Sequence, residues 1–252
     1  MRDFAHRDLS LVVISGVTVA LLLAALAVHF CDVPFSDYLQ QLHIRITPFG
    51  RTLQLLGKYD VAWFSMFFVC WATGNRRLLW RFGWAAAASG IFVLLVKLAV
   101  GRTRPNGEAL SFPSGDTSIA FVWATVIAAE YRLLGVPAFL AAAVIGLMRV
   151  TGGMHYPSDV LAGAATGFAA AGISVYMITD NVPRWLYRAT RRTRWGLLLV
   201  GGFVGGMAAR AATDSRWWPA VVLAVAIVVL VFIPVLISKR KACAKLARRP
   251  EI

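Results

Sequence analysis

The stretch 157-PSDVLAGAATGFAAAGISVYMIT-179 decides the fold. A proline opens it, a carboxylate follows two residues later, and an uninterrupted run of apolar and small residues completes it. A chargeless run of about 20 such residues is long enough to cross a bilayer as a helix. Pro157 suits the first helical position, and Asp159 sits where the helix dipole favours negative charge. Gly163 and Gly167, four residues apart, let a neighbouring helix backbone approach closely. That spacing fits packing inside the monomer as well as a dimer face.

Seven further apolar runs flank this one, at 9–30, 61–73, 82–100, 117–134, 136–150, 195–212 and 217–237. The runs at 61–73 and 136–150 are short and are expected to borrow flanking residues. The chain has 252 residues, is 59% hydrophobic and has a mean hydropathy of +0.68, which excludes an ordinary soluble domain. Only helices and closed barrels satisfy the backbone in lipid, and these runs do not alternate as barrel strands would. The expectation is an all-α polytopic transmembrane bundle of about eight spans, one integral membrane domain over residues 1–252. Its core covers about 1–180, two extra spans about 195–237, and a basic tail 238–252.

The first run has basic residues before it and Ala25-Leu26-Ala27 late in it, as a signal peptide has. Its roughly 22 apolar residues exceed a signal core, so an uncleaved anchor is expected. In 34-PFSDYLQQLHIRITPFG-50, Phe35, Tyr38, Leu39, Leu42 and Ile46 share one helical face, with Ser36 as candidate N-cap. This reads as an interfacial helix on the outer leaflet. The stretch 201-GGFVGG-206 offers a second small-residue contact, and Trp217 and Trp218 an interface anchor.

The net charge of +14 raises the possibility of nucleic-acid binding, but its distribution follows the membrane instead. With the N-terminus inside, nine cations fall outside: Arg45, Arg51, Lys58, Lys97, Arg102, Arg104, Arg149, Arg210 and Arg216. The other 17 of the 26 Lys and Arg fall inside. The positive-inside rule therefore puts both termini in the cytoplasm, in the inner (plasma) membrane, with no nucleic-acid partner. Cys31, Cys70 and Cys243 have no plausible pairing in this topology, so neither a disulfide nor a metal site is expected.

Three polar segments interrupt the apolar pattern, all on the outer side: 97-KLAVGRTRPNGE-108, 113-PSGD-116 and 149-RVTGGMHYPSD-159. Singly, each residue has a plain explanation. Lys97 can snorkel, Arg149 can anchor an interface, His155 can be a satisfied loop histidine, and Asp159 can answer a helix dipole. Together they gather on one face beside an open helix N-terminus. Lys97, Arg102, Arg104 and Arg149 can clamp a phosphate. Ser114 and Gly115 open a helix whose first N–H groups bind anions. His155 precedes Asp159 by four residues, so the carboxylate can hold one ring nitrogen and leave the other as a nucleophile.

Lys97, six residues, Arg104-Pro105; Pro113-Ser114-Gly115; and Arg149, five residues, His155, three residues, Asp159 resemble the three-part signature of the type-2 phosphatidic acid phosphatase superfamily. The resemblance implies a six-helix phosphatase core with two extra C-terminal spans. It implies a lipid phosphatase needing no metal or cofactor, in which His155 attacks phosphorus to form a phosphohistidine. Asp159 would orient His155, while Lys97, Arg104, Arg149, Ser114 and Gly115 hold the phosphoryl oxygens. The expected substrate is a phosphorylated envelope lipid, with lipid A and undecaprenyl pyrophosphate leading. A phosphotransferase with the same phosphohistidine, or a non-catalytic lipid-phosphate binding or transport protein, are the alternatives.

Two positions depart from the signature. Met148 stands where the family usually has Ser. Asp116 stands where it usually has the His that protonates the leaving oxygen. Asp116 therefore has three readings: a protonated general acid, a structural carboxylate that holds a guanidinium or caps the span, or the mark of an impaired site. The second suits leaving groups that need little acid help, such as a pyrophosphate or an anomeric phosphate.

Overall fold

Residues 2–41 and 58–178 are described by a computed structural model, and all regular structure among them is helical. The elements are α1 (Arg2–His29), α2 (Asp32–Gln41), α3 (Tyr59–Thr73), α4 (Arg76–Val100), α5 (Gly115–Glu130), α6 (Arg132–Thr151) and α7 (Pro157–Met177). By length and composition, four are able to cross a membrane: residues 11–29 of α1, and all of α4, α6 and α7. α3 and α5, at 15 and 16 residues, are apolar but shorter. The expected runs at 195–212 and 217–237, the 201–206 contact and Cys243 lie outside the described residues.

Local chemistry sets the helix ends. α3 stops at Gly74, whose φ of 73° closes the last turn with an N–H bond to the Cys70 carbonyl. Asn75 then caps α4 by accepting from the Arg77 N–H, so α4 begins six residues before the apolar run at 82. The expected border between the fourth and fifth runs, at 135, is corrected to Tyr131. There the backbone leaves helical geometry, whereas Gly135 is buried inside α6 against Ala128. Pro137 sits within the second turn of α6, where its missing N–H costs the helix the bond to the Leu133 carbonyl. Ser36 is also corrected. It is buried inside α2, which starts at Asp32, so it is no N-cap. Phe35 and Tyr38 of the expected interfacial face are exposed.

α7 is the central member, packed on α1, α4, α5 and α6. Its glycines fix that packing. A Cβ at Gly163 would collide with the Ser114 carbonyl, and one at Gly167 with the Ser118 carbonyl. A Cβ at Gly172 would come within 2.9 Å of Ile14 of α1. The Gly163–Gly167 pair therefore works inside the monomer, drawing α5 onto α7. Met66, Leu78, Phe82, Ile119, Val122 and Val126 fill the space between α3, α4 and α5. Within it, Ser89 and Ser118 share a hydrogen bond of 2.6 Å, which satisfies both buried hydroxyls.

The two ends of the bundle have different polar chemistry. At one, Arg81 pairs with Glu130 and donates from Nε to the Ile178 carbonyl at 2.8 Å. Asn75 reaches the other Glu130 oxygen at 2.8 Å, and Ser174 bonds the Arg81 carbonyl at 2.8 Å. These bonds tie α4, α5 and α7 together. At the opposite end lie the last turns of α4 and α6 and the first turns of α5 and α7, carrying Lys97, Arg149, Ser114 and Asp159.

Gly167→Ala should lower thermal stability in detergent by about 1–3 kcal/mol, because backbone must move to admit the methyl group. Gly16→Ala, where a Cβ meets nothing within 4 Å, should lose none. Equal midpoints for both variants would contradict this account of α5–α7 contact.

Candidate active site

Asp159 is fully buried in the first turn of α7, and three separate segments converge on it. Its Oδ1 accepts from Arg102 Nη1 at 2.9 Å. Its Oδ2 accepts from the Tyr156 N–H at 2.8 Å and from the Ser111 hydroxyl. Its carbonyl accepts from the Ser114 N–H at 2.9 Å. A buried carboxylate needs such compensation, and here the compensating donors assemble the site.

The sequence places Arg102 in the phosphate clamp; in the structure its guanidinium is occupied by protein groups instead. It donates from Nη1 to Ser158 Oγ at 2.9 Å as well as to Asp159, and from Nη2 to Asp32 Oδ2 at 2.8 Å. Its face lies 4.1 Å from the Tyr156 ring centroid. Asp32, 1% exposed, also accepts from the Ser158 N–H at 2.9 Å and from the Ser158 hydroxyl, and lies 3.2 Å from His29 Nδ1. Asp32, Arg102 and Asp159 therefore form one buried chain from the α1–α2 junction to α7.

Asp159 Oδ2 faces His155 Nδ1 at 3.7 Å. That is beyond a hydrogen bond, and Nδ1 has no hydrogen-bond partner among the described residues. Catalytic contacts are often this loose without substrate. The His155 backbone N–H bonds the Arg149 carbonyl at 3.2 Å, which fixes the loop that carries the imidazole. Burial holds His155 below the ordinary imidazole range; the Asp159 charge opposes that, while Lys97 and Arg104 add to it. The shift favours the neutral ring, the form in which an imidazole can act as a nucleophile.

The other predicted residues gather here too. Lys97, in the last turn of α4, donates to the carbonyls of Leu110, whose φ is 63°, and of Ser111, at 3.4 Å. Arg104 pairs with Glu108 at 2.8 Å, while its Nε is buried without a hydrogen-bond partner among the described residues. Ser114 caps α5, accepting from the Thr117 N–H at 3.4 Å and hydroxyl at 2.9 Å. Gly115 is the first residue of that helix. Arg149 is 2% exposed; its Nη1 lies 3.0 Å from Met154 Sδ and its Nη2 2.6 Å from Asp116 Oδ2. Lys58 Nζ stands 3.5 Å from the same Asp116 oxygen.

Sequence reasoning missed Asp32, Ser111 and Lys58 as parts of this cluster. Asp32 carried a usable signal, an acid at the end of an apolar span. Lys58 was counted only as an outer cation. Ser111 carried none.

A family model described as "PAP2 superfamily" matches residues 78–183. A lipid A 1-phosphatase from Porphyromonas gingivalis is 35% identical over 42% of this chain and 26% of its own length. A decaprenylphosphoryl-5-phosphoribose phosphatase from Mycobacterium tuberculosis is 30% identical over 57% of this chain and 84% of its own length. The crystal structure of Aquifex aeolicus LpxE superposes with a TM-score of 0.53 at 25% identity, covering 57% of this chain and 94% of that one. The chain spans between about a quarter and a half of the length of the lipid A 1-phosphatases it matches.

His155 should titrate below about 6.5, the ordinary imidazole value. Asp159→Asn removes the charge that favours the imidazolium, so the midpoint should fall further. Nuclear magnetic resonance of nitrogen-labelled histidine, assigned with a His155→Gln variant, reads both; a midpoint above the ordinary value would contradict the burial argument.

Proposed function

The chain belongs to the PAP2 superfamily, and we propose that it is a membrane lipid phosphatase working through a phosphohistidine at His155. The observation that carries this reading is a buried imidazole facing an anchored carboxylate at 3.7 Å, in a site that also gathers Lys97, Arg104 and Arg149. Phosphoryl transfer asks for little else: a positioned nucleophile and preorganised charge against the equatorial oxygens.

The ring nitrogen remote from Asp159 attacks phosphorus, and the bond to the lipid oxygen breaks. Arg149 and Arg104 hold the phosphoryl oxygens together with the free N–H groups of the first α5 turn. Lys97 acts from behind through the 110–111 backbone and its charge. Water then releases phosphate and restores the imidazole.

Among the three readings of Asp116, the structural one has the most support, because its carboxylate already accepts from the Arg149 guanidinium. A carboxylate so placed is a poor proton donor, so Asp116 itself offers little acid help and leaving groups that depart easily need none from it. A phosphorylated envelope lipid is the substrate class, with an anomeric phosphate of the lipid A type first and undecaprenyl pyrophosphate second. The 17-of-26 inner charge count supports a site on the outer face of the inner membrane, with both termini in the cytoplasm.

His155→Ala should abolish phosphate release from these lipids while lipid binding survives, since the cationic clamp remains. Full turnover in that variant would remove the mechanism. Rapid exchange of label between two lipids in the wild type would make the enzyme a phosphotransferase.

The orientation is tested separately. Asn106→Cys, in a background without the native cysteines, should react with an impermeant thiol reagent in intact cells, and Thr73→Cys at the opposite end should not. Reversed labelling would put the site in the cytoplasm.

A further inference from the structure

We propose that Lys58, held in place by Asp116, is the proton donor to the leaving oxygen, and so sets how poor a leaving group the site can expel. This rests on the lipid phosphatase reading and extends it to a residue outside the three polar segments.

The geometry begins with Asp116. One oxygen, Oδ2, lies 2.6 Å from Arg149 Nη2 and 3.5 Å from Lys58 Nζ. That oxygen is engaged as an acceptor by both cations. The two cations differ in what they can supply. Arg149 is nearly fully buried, and a guanidinium does not release a proton in proteins. Lys58 is an ammonium with three donors on a flexible stem, and its side chain is 44% exposed. It can meet an incoming ester and regain a proton from solvent.

Its position is built by the fold. Lys58 is the residue before α3, and Asp116 is the second residue of α5, immediately after Gly115. Arg149 joins Asp116 through its side chain and His155 through its backbone carbonyl. Asp116 therefore separates two functions. On one side Arg149, whose carbonyl bonds the His155 N–H, would face the phosphoryl group; on the other, Lys58 would meet the departing ester oxygen.

The step balances. The imidazole nitrogen forms the P–N bond as the P–O bond to the lipid breaks. The bonding pair stays on the leaving oxygen, which takes a proton from the Lys58 ammonium and departs as an alcohol. The Lys58 amine takes a proton from solvent. Water then attacks the phosphohistidine, its oxygen joins phosphorus, the imidazole leaves, and the surplus proton returns to solvent.

The test compares full-length wild type, Lys58→Met, Lys58→Arg and Asp116→Asn in detergent micelles. The substrates are phosphatidic acid, whose alkoxide leaves badly, and p-nitrophenyl phosphate, whose phenoxide leaves well. Lys58→Met should lose on the order of 10²–10⁴-fold in kcat on phosphatidic acid, the usual worth of general acid catalysis, and clearly less on the aryl ester. Lys58→Arg keeps the charge without a transferable proton and should show the same graded loss. Asp116→Asn should show it more weakly, because the ammonium is then less well placed. Equal losses on both esters, no loss on either, or wild-type turnover of phosphatidic acid by Lys58→Arg would overturn the proposal, while leaving the phosphatase reading intact. A wild type that releases phosphate from lipid A but not from phosphatidic acid would also overturn the proposal alone; one that releases phosphate from neither ester nor from lipid A would overturn the phosphatase reading with it.

Discussion

The end of this bundle that carries His155 is organised by one buried charge. Asp159 has no solvent contact and receives donors from Arg102, Ser111 and the Tyr156 N–H. Removing one partner of such a buried pair typically costs about 3–5 kcal/mol, because the other charge is left uncompensated. The segments that supply those donors therefore cannot drift apart while the chain is folded. Arg102 brings the loop after α4, Ser158 and Asp32 bring the α1–α2 junction, and the bond from the Ser114 N–H brings the start of α5. His155 inherits its position from this arrangement.

Membrane packing supplies the second constraint. Lipid offers no hydrophobic drive for helices to associate, so close backbone contact and internal hydrogen bonds must hold them. Gly163 and Gly167 let α7 meet α5 backbone to backbone, in the same turns that carry Ser114 and Ser118. The Arg81–Glu130–Asn75 cluster secures the opposite ends of α4 and α5, and Arg81 reaches the end of α7. With both ends tied, the cations around His155 are held against their mutual repulsion without substrate, which is the preorganisation that phosphoryl transfer exploits.

The sequence made legible what is local. The Arg149, His155 and Asp159 spacing reads from a single segment, as do the Ser114 cap and the small-residue pattern of α7. Helix ends were harder, because Asn75 and Tyr131 set them through caps and backbone turns that apolar periodicity does not register. The pairing of Arg102 with Asp32, 70 residues apart, was not legible at all. It depends on where α1 places its end, and without it Arg102 looks like any other free cation near a phosphate site. Lys58 was hidden for the same reason, since only the approach of α3 to α5 brings it to Asp116.

The central claim is that phosphorus is bonded to His155 during turnover. The direct measurement is rapid mixing of the full-length protein with lipid labelled in its phosphate, followed by an alkaline quench and peptide mass spectrometry. The account predicts an acid-labile, base-stable phosphoryl group on the peptide containing His155, appearing before free phosphate and absent from His155→Ala. Release of labelled phosphate with no labelled protein at any time would mean that water attacks the lipid phosphate directly, and would contradict it.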